Sequence, residues 1–379
     1  GDDMGKYLGQ IPRRALLGAA GATGLGLAGG FFAGINVAQA KVLSGAVPVI
    51  DRLSIRVVTD SYFHQFAAAD SVPGLQVSRP VRPPSKELPR TLLNEWGLSL
   101  HLESTQGSTT RRMLMDFGFS STALNNNLDL LGIDPSQLDA MLLTHGHYDH
   151  FGGMVGFLQQ HASKLKKDLP FYLGGEECFC TRETGPVNSP SNFGSLDRHA
   201  IAKAGVQVVF AERASVVADH AFTTGYIPLV SFEKPMQPSR MRVGLGADGL
   251  GCSAQGLPAD KQTLTVAPDD FQHEQATCFH LKGKGLVVLA SCGHRGIVNS
   301  VRAAMQVSGI RQVHAIIGGF HLMPMPADYV KTTVAELKSL NPDFLIPMHC
   351  SGLPFYEEAK AQMPGKVPLA STGTTFTLG

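Results

Sequence analysis

The sequence predicts an α/β protein in which two β-sheets pack face to face and helices cover their outer sides. Strand-like apolar runs dominate the first half of the 379-residue chain, and strands alternate with helices towards its end. One apolar run, at 138–145, leads directly into a dense cluster of histidine and aspartate residues. Elements with one apolar side must bury it against another layer, and this favours a four-layer αββα sandwich.

The strands are predicted from β-branched residues and from apolar residues that alternate or follow one another without interruption. In chain order we expect strands at 53–60, 97–103, 111–118, 138–145, 207–211, 276–281, 285–291, 313–319 and 343–349. Apolar residues that recur every three and four positions predict helices. By this criterion helices are expected at 153–165, 296–309 and 327–340.

Residues 41–379 are expected to form one domain, because strand patterns continue on both sides of each segment rich in Pro, Gly or Ser. Three such segments, at 62–90, 174–200 and 234–262, are expected to be long loops near a site. Hydrophobic residues make up 43% of the chain and charged residues 17%, so a large core can form. The net charge of +1 argues against a nucleic-acid partner, which would require clustered Lys and Arg.

The first forty residues differ in composition from the rest and predict an export signal. Arg13 and Arg14 precede twenty-six uncharged residues that end in an A-x-A cleavage pattern at 38–40. Paired arginines before a weakly hydrophobic, Gly/Ala-rich stretch are typical of twin-arginine signals. We therefore expect 1–40 to engage the twin-arginine export machinery and to be cleaved near Ala40. The mature protein would be periplasmic or otherwise exported, without a stable membrane partner; the alternative is a retained anchor, since the run could span a bilayer.

The six cysteines do not predict a disulfide framework. Cys178 and Cys180 are too close in sequence for an ordinary bridge to each other, and the chain lacks a CxxC pair of the zinc-binding type. A chain of this length does not need covalent cross-links to be stable. Most of the cysteines are therefore expected to be buried thiols, although an oxidising compartment would permit bridges.

The histidine cluster lies in LLTHGHYDHFGG, at 142–153. His145 and His147 are two residues apart at a strand end, so their side chains can point the same way. Asp149 and His150 follow in the turn and can point at a second position nearby. Neutral imidazole and carboxylate bind Zn²⁺ and similar divalent ions, and two ions could share this loop. A surface histidine patch would require neither the preceding apolar run nor the following glycine pair.

The pattern T-H-x-H-x-D-H at a strand end resembles the metallo-β-lactamase-fold hydrolases, and the resemblance extends from about Asp51 to the end of the chain. Within that superfamily the sequence is most similar to the group of 7,8-dihydropterin-6-yl-methyl-4-(ribofuranosyl)aminobenzene 5′-phosphate synthases. Further motifs suggest this group: MLMDFG (113–118), SCGHRGIVN (291–299), IIGGFHL (316–322), IPMHCSG (346–352) and STGTTFTL (371–378). The first pattern is specific for the fold, but the fold carries many unrelated chemistries.

The resemblance implies two neighbouring metal sites. His145 and His147 would bind the first ion, and Asp149, His150 and His349 the second. The implied cofactor is one or two Zn²⁺ ions, with Mn²⁺, Fe²⁺ or Mg²⁺ as alternatives. Asp149 would also count among the catalytic residues.

Three further residues are assigned to the same site. Asp116 matches the group's L-x-D-x-G motif and would hold a ligand histidine by its second ring nitrogen; an ordinary strand-end aspartate is the alternative. His321, which also follows a strand, would contact substrate or donate a proton, or else be a structural histidine. Arg295 precedes a predicted helix and would bind a phosphate or carboxylate of the substrate, or else be a solvated surface residue.

The third ligand of the first site is where the sequence departs from the pattern of the superfamily. Typical members have a histidine about twenty residues before a Gly-Asp at a strand end, and that aspartate bridges the metals. His273 has the required spacing, but the strand at 285–291 is followed by Cys292 instead of an aspartate. His294 follows two residues later, as in the dihydropterin-type group, so we expect His294 to be the ligand and His273 to be the second choice. Cys292 is either a thiolate ligand or a buried inert thiol.

These observations predict a metal-dependent hydrolase of a small molecule: a phosphoester, a lactone or another cyclic ester or amide. Zn²⁺ lowers the pKa of bound water from 15.7 to about 7, so metal-bound hydroxide would be the nucleophile. The alternative is an exported, non-catalytic metal- or ligand-binding protein on the same fold. A synthase role would require a cytosolic pterin precursor, and the predicted export signal argues against it.

Overall fold

The protein is a four-layer αββα sandwich, as the sequence predicts. Its computed structural model describes residues 29–32, 34–81, 86–235 and 238–379. Within these ranges the strands are β1 (Gly29–Phe32), β2 (Ile35–Gln39), β3 (Val49–Ile50), β4 (Arg52–Thr59), β5 (Gln76–Ser78), β6 (Ser99–Gln106), β7 (Thr109–Met115), β8 (Ala140–Leu142), β9 (Pro170–Leu173), β10 (Thr181–Thr184), β11 (Ser191–Asn192), β12 (Gln207–Phe210), β13 (Arg213–Val217), β14 (Ala221–Gly225), β15 (Arg240–Arg242), β16 (Gly244–Leu245), β17 (Gly251–Cys252), β18 (Val266–Pro268), β19 (Thr277–Leu281), β20 (Gly285–Ala290), β21 (Val313–Gly318), β22 (Phe344–Pro347) and β23 (Thr375–Leu378).

The α-helices are α1 (Ser121–Leu130), α2 (Tyr148–Phe151), α3 (Met154–His161), α4 (Arg198–Lys203), α5 (Ile297–Ser308), α6 (Ala327–Ser339) and α7 (Leu353–Gln362). The predicted helices at 296–309 and 327–340 agree with α5 and α6. Among the described residues, no helix has the length and apolar content needed to span a membrane.

Two large sheets form the centre of the sandwich. The first has the strand order β1-β2-β12-β9-β8-β7-β6-β4-β23-β5, and the second has β13-β14-β19-β20-β21-β22 with β3 beside β19. Side chains of both sheets share one buried cluster, which includes Ile55 and Leu100 from the first and Phe279 and Ile317 from the second. The two sheets therefore face each other across a common apolar core.

The helices cover the two outer faces. On the first sheet, Leu124 of α1 and Phe157 of α3 are buried in a cluster with Met141 of β8. On the second sheet, α5, α6 and α7 bury their apolar sides against β20, β21 and β22, for example at Val301 and Val334. Helix α1 is not predicted by the sequence, because its three consecutive asparagines have low helix propensity.

The segments at 174–200 and 234–262 are not simply loops, contrary to expectation. They contribute β10, β11 and β15, which form a four-stranded sheet with β18 in the order β11-β10-β15-β18. A disulfide between Cys180 and Cys252 links two parts of this insertion that are 72 residues apart in sequence. We call residues 174–203 and 234–273, with α4 and this small sheet, the insertion; residues 236–237 lie outside the described residues.

The end of the predicted export signal is placed inside the first sheet. Residues 1–28, including Arg13 and Arg14, lie outside the described residues. Strand β2, in contrast, pairs in parallel with β12, and Ile35 is only 1% exposed. Cleavage near Ala40 would remove this strand and uncover the edge of β12. The cleavage position stays a prediction.

Candidate metal centre

The sequence cluster lies at the edge where the parallel strands of both sheets end. Strands β7 and β8 pair in parallel, as do β20, β21 and β22, so their carboxyl ends lie at the same edge. The loops that follow these strands carry the site residues. His145 and His147, for example, lie between β8 and α2. Three of them, Asp116, His321 and His349, adopt positive φ angles of 60°, 49° and 52°. Non-glycine residues with such angles are strained and concentrate at functional sites.

Three histidines form the first half of the centre. One ligand-type atom from each of His145, His147 and His294 lies within 4.8 Å of the others. Their ring centroids are 4.8–4.9 Å apart, and His145 is fully buried. The structure thus brings His294, the preferred candidate for the third ligand, next to His145 and His147.

Asp149, His150 and His349 form the second half. Their ligand-type atoms also lie within 4.8 Å of one another. Asp149 Oδ2 is 3.6 Å from His150 Nε2 and 3.3 Å from His349 Nε2. His145 connects the two halves, because its ring centroid is 4.3 Å from that of His150.

The chemistry of these donor atoms fits a bound divalent cation. The Nε2 atoms of His145, His150, His294 and His349 are buried without a hydrogen-bond partner among the described residues. Buried polar nitrogens are normally paired, and unpartnered ones within two adjoining groups of ligand-type residues are what metal ligands require. Imidazole and carboxylate donors suit Zn²⁺ and related first-row ions.

Asp116 fixes the second half from behind. Its Oδ2 accepts a hydrogen bond from His150 Nδ1 at 2.8 Å and another from the Thr144 hydroxyl at 2.8 Å. Its Oδ1 accepts from the backbone N–H of Thr144 at 2.9 Å. With Nδ1 of His150 protonated, Nε2 keeps its lone pair for a metal ion, which is the positioning role that the sequence implies.

The first half has a support that the sequence did not reveal. His147 Nε2 lies 2.8 Å from the Ser239 hydroxyl, which donates its own hydrogen to Asp269 Oδ2 at 2.8 Å. The hydroxyl therefore accepts from His147 Nε2–H, and Nδ1 of His147 is left for a metal ion. Arg182, fully buried, donates from Nε to Asp269 at 3.1 Å. No motif marks Ser239, Asp269 or Arg182, because they become neighbours only through the insertion.

The electrostatics of the centre favour neutral donors in one half and charged groups in the other. Burial, reinforced by neighbouring histidines, holds the pKa values of His145 and His294 well below the ordinary value. Burial alone would raise the pKa of Asp149, but His150 and His349 lower it below the ordinary value. Burial would lower the pKa of His150, yet the carboxylates of Asp149 and Asp116 raise it to about 9. The second half therefore favours charged side chains, whereas the first half favours neutral histidines.

Two assigned residues do not face the centre, and their roles need correction. His273, the second choice as ligand, uses both ring nitrogens elsewhere: Nδ1 lies 3.1 Å from Glu177, and Nε2 accepts from the Gly146 backbone at 3.1 Å. Arg295, assigned to substrate, is 3% exposed and donates to the carbonyl oxygens of Ile227 and Asp270. A ligand needs a free lone pair and a substrate-binding arginine needs accessible N–H groups, and these side chains offer neither.

His321 and Cys292 do lie at the centre. The ring of His321 is 4.3 Å from that of His294, and its Nδ1 is 3.7 Å from the sulfur of Cys292. His321 is partly exposed, whereas Cys292 is 3% exposed. His321 can therefore reach a molecule bound at the centre, while Cys292 faces the ligand histidines from the interior.

Aromatic side chains flank both halves. The single tryptophan of the chain, Trp96, is 51% exposed and its ring lies 4.8 Å from His349. On the other side, the ring of Phe193 lies 5.7 Å from His147. A molecule that reaches the centre would therefore contact apolar surface on both sides.

Comparison with known proteins agrees with this geometry. Residues 106–165, which contain the histidine cluster, match the family model described as the metallo-beta-lactamase superfamily. The chain is 27% identical over 277 residues to a 7,8-dihydropterin-6-methyl-4-(beta-D-ribofuranosyl)-aminobenzene-5′-phosphate synthase of Methanocaldococcus jannaschii, covering 70% of this chain and 86% of that enzyme. An uncharacterised protein of the same organism is 25% identical over 247 residues, or 64% of this chain and 80% of its own length.

A solved structure shares the fold. A metal-dependent hydrolase of the beta-lactamase superfamily superposes with a TM-score of 0.60 at 20% identity, covering 85% of this chain and 98% of the other. This likeness establishes the architecture. The segment at 106–165 that matches the family model contains His145 and His147 of the first half and Asp149 and His150 of the second half. The chain therefore has the metallo-β-lactamase fold, and its residues 106–165 match the model of the metallo-beta-lactamase superfamily.

Proposed function

We propose that the protein is a metal-dependent hydrolase of a small molecule, such as a phosphoester, a lactone or another cyclic ester or amide. The observation that supports this most is that four buried histidine Nε2 atoms without hydrogen-bond partners lie in two adjoining groups of ligand-type residues, one of which includes Asp149. A divalent ion held there would supply an acidified water as nucleophile and positive charge to stabilise the anion formed on attack. The match of residues 106–165 to the superfamily model supports the class of chemistry but leaves the substrate open.

The residues of the chain divide the remaining tasks. Asp116 orients His150, and Ser239 with Asp269 orients His147, so both histidines are aligned before substrate arrives. His321 is the group best placed to give a proton to a leaving group, because it is partly exposed beside His294. Burial lowers the pKa of His321, but nearby Cys350 and Glu274 raise it above the ordinary value, which favours the protonated form.

The aromatic flanks favour a substrate with an apolar portion. Trp96 borders the second half at His349, and Phe193 borders the first half at His147. Phe119 and Tyr148 extend this surface, with ring centroids 5.1 Å apart. An exposed aromatic side chain next to a polar centre binds ring systems or acyl chains through its apolar face.

The proposal is tested by measuring metal content and hydrolysis on the same preparation. We expect the purified full chain to contain one or two divalent ions and to hydrolyse at least one compound from a panel of aryl phosphodiesters, phosphomonoesters and acyl lactones. Chelation should abolish turnover, and Zn²⁺ or Mn²⁺ should restore it. His280→Ala is a suitable control, because His280 lies in β19 away from the centre.

Three results distinguish the alternatives. Stoichiometric metal without turnover of any panel member, but with a bound small molecule in the purified protein, would favour the non-catalytic binding protein. Absence of metal binding would contradict both. A second candidate activity is the synthase reaction, because similarity to the named synthase spans 86% of that enzyme; formation of its aminobenzene phosphate product in a reconstituted assay would support this candidate instead.

We also propose that the protein is exported by the twin-arginine route. The paired arginines and the uncharged stretch support this, while β2 argues against removal of all residues up to Ala40. Replacing both Arg13 and Arg14 by lysine should keep the protein inside fractionated cells. The first residue of the exported wild type decides the boundary: a start near Lys41 fits the cleavage pattern, and a start before Ile35 fits the strand.

A further inference from the structure

A cleft on the outer face of the first sheet lies apart from the metal centre. It has a volume of about 340 Å³, and its walls come from β4, β6, β7 and the segment at 132–137. Sites for small organic molecules have volumes of this order. Arg112 on β7 lines the cleft, whereas Asp116, four residues later, orients His150 of the metal centre. About 13 Å of extended chain therefore separates the two regions along this strand.

Strand alternation makes the floor of the cleft polar. Arg56 lies opposite His101 where β4 pairs with β6, and Glu103 lies opposite Arg112 where β6 pairs with β7. Leu102, between His101 and Glu103, is buried in the core shared by the two sheets. Because successive side chains of a strand point to opposite faces, the four polar residues share the outer face.

Arg56 is held in the cleft without a carboxylate partner. Its Nε donates to the Thr375 hydroxyl at 3.1 Å, and its Nη1 donates to the carbonyl oxygen of Leu131 at 2.7 Å. Both acceptors are neutral. Among the described residues, Arg56 forms no ion pair and its Nη2 group has no hydrogen-bond partner. A half-buried guanidinium fixed in this way keeps a positive charge and free N–H groups for an anion.

Arg112 and His101 offer further donors beside Arg56. Arg112 donates from Nε to Glu103 at 2.7 Å, and both of its Nη groups lack a partner within the described ranges. The half-buried ring of His101 forms no hydrogen bond in the described part of the chain. Burial lowers the pKa of His101 to about 4, and the charges of Arg56 and Arg112 act in the same direction against Glu103. The ring is therefore neutral near pH 7 and keeps one N–H as a donor.

The negative groups at the cleft are already engaged. Glu103 is paired with Arg112, and Asp134 accepts the backbone N–H of Ser136 at 3.0 Å and its hydroxyl at 2.8 Å. Asp134 is also exposed, so water weakens the field of its charge. The uncompensated charge of Arg56 and the unpartnered N–H groups therefore make the cleft attractive to an anion.

We propose that this cleft is a second binding site, and that its ligand is a small organic phosphate. Donors on three adjacent strands, from Arg56, His101 and Arg112, can bond to the three terminal oxygens of one phosphate group. The organic part of the ligand would fill the remaining volume beside Ile133 and Gln137. The inference goes beyond the proposed hydrolase and does not depend on a bound metal ion.

The test is calorimetric titration of the full chain with propylphosphonate, whose C–P bond resists hydrolysis. We expect the wild type to bind it, and Arg56→Gln and Arg112→Gln each to weaken binding by about tenfold or more, because charge-assisted hydrogen bonds are lost. Arg111→Gln is the matched control and should bind like the wild type. Arg111 precedes Arg112 in β7, but it pairs with Asp219 at 3.1 Å and does not line the cleft.

Two further variants keep the test decisive. Gln137→Glu should weaken binding by about threefold or more, since it adds negative charge at the cleft. It should fold normally, because Gln137 is exposed. His147→Ala should bind propylphosphonate like the wild type, since the metal centre takes no part.

Three results would overturn the inference, and each leaves the proposed hydrolase intact. The first is a wild type that does not bind propylphosphonate. The second is unchanged affinity in Gln137→Glu, or the same loss in Arg111→Gln as in Arg112→Gln. The third is loss of binding in His147→Ala, which would show that the phosphonate binds at the metal centre.

Discussion

The two halves of the metal centre are held in place by different parts of the chain. In the second half, His150 is oriented by Asp116, which follows a strand of the first sheet. In the first half, His147 is oriented by Ser239 and Asp269, which belong to the insertion. The same task, fixing the ring of a ligand histidine, is thus performed once by the sandwich and once by an addition to it.

This difference indicates that the insertion completes the active centre. Arg182 holds Asp269, and it also donates to the carbonyl oxygen of Cys180, whose side chain forms the disulfide. Lys261 contributes a further buried ion pair with Glu177, which in turn contacts His273. A chain of buried polar contacts therefore connects the fold of the insertion to the first half of the centre.

The largest effect is expected when a ligand is removed. His147→Ala should lower metal affinity and hydrolysis by more than about 100-fold, because losing a ligand costs more than losing its supporting residue. Metal analysis after dialysis and an activity assay provide the measurement. Metal content like that of the wild type would show that His147 is not a ligand.

The assignment of the third histidine is tested by a pair of variants. His294→Ala should remove at least one ion per chain, since the His294 ring lies 4.9 Å from that of His145 and 4.8 Å from that of His147. His273→Ala should cost less metal than His294→Ala and lower the thermal midpoint, because His273 Nδ1 contacts Glu177 of the insertion and its Nε2 accepts from the backbone N–H of Gly146. The opposite order of metal loss would mean that His273 moves into the centre when an ion binds.

A second pair of variants compares the two supports directly. Asp116→Asn and Ser239→Ala should each weaken metal binding by about 10- to 100-fold, the usual range for residues behind a ligand. The fluorescence of Trp96, which contacts His349, should report mainly on the second half. Its metal titration should therefore shift more in Asp116→Asn than in Ser239→Ala. Equal shifts would mean that the halves do not bind their ions separately.

The smallest effect on the metal is expected from the disulfide. Replacing Cys180 and Cys252 together by serine should destabilise the protein by roughly 2–4 kcal/mol, because the bridge closes a long loop. Metal affinity should fall by less than about tenfold, since Arg182 keeps its contacts with Asp269. Chemical denaturation and metal titration measure the two quantities. A loss of metal affinity greater than about tenfold would mean that the bridge positions the centre directly.

The site residues that the sequence identified and those it missed differ in how far along the chain their contact partners lie. His145, His147, Asp149 and His150 form one local motif, and alternation along a strand end is enough to bring them together. Asp116 and His349 were identified because each follows a strand within a motif of the superfamily. Arg295 was assigned wrongly, because a position before a helix does not show that neighbouring carbonyl groups already occupy the guanidinium.

The sequence by itself determined the fold class and the local motif of His145, His147, Asp149 and His150, since apolar periodicity and local spacing encode strands and the loops after them. Only the tertiary structure decided between His294 and His273, placed Cys292 between the halves, and showed what orients His147. These outcomes depend on contacts across 92 positions between His147 and Ser239 and 58 between Cys292 and Cys350. Such contacts arise from the packing of sheets and insertion, and no local pattern in the chain records them.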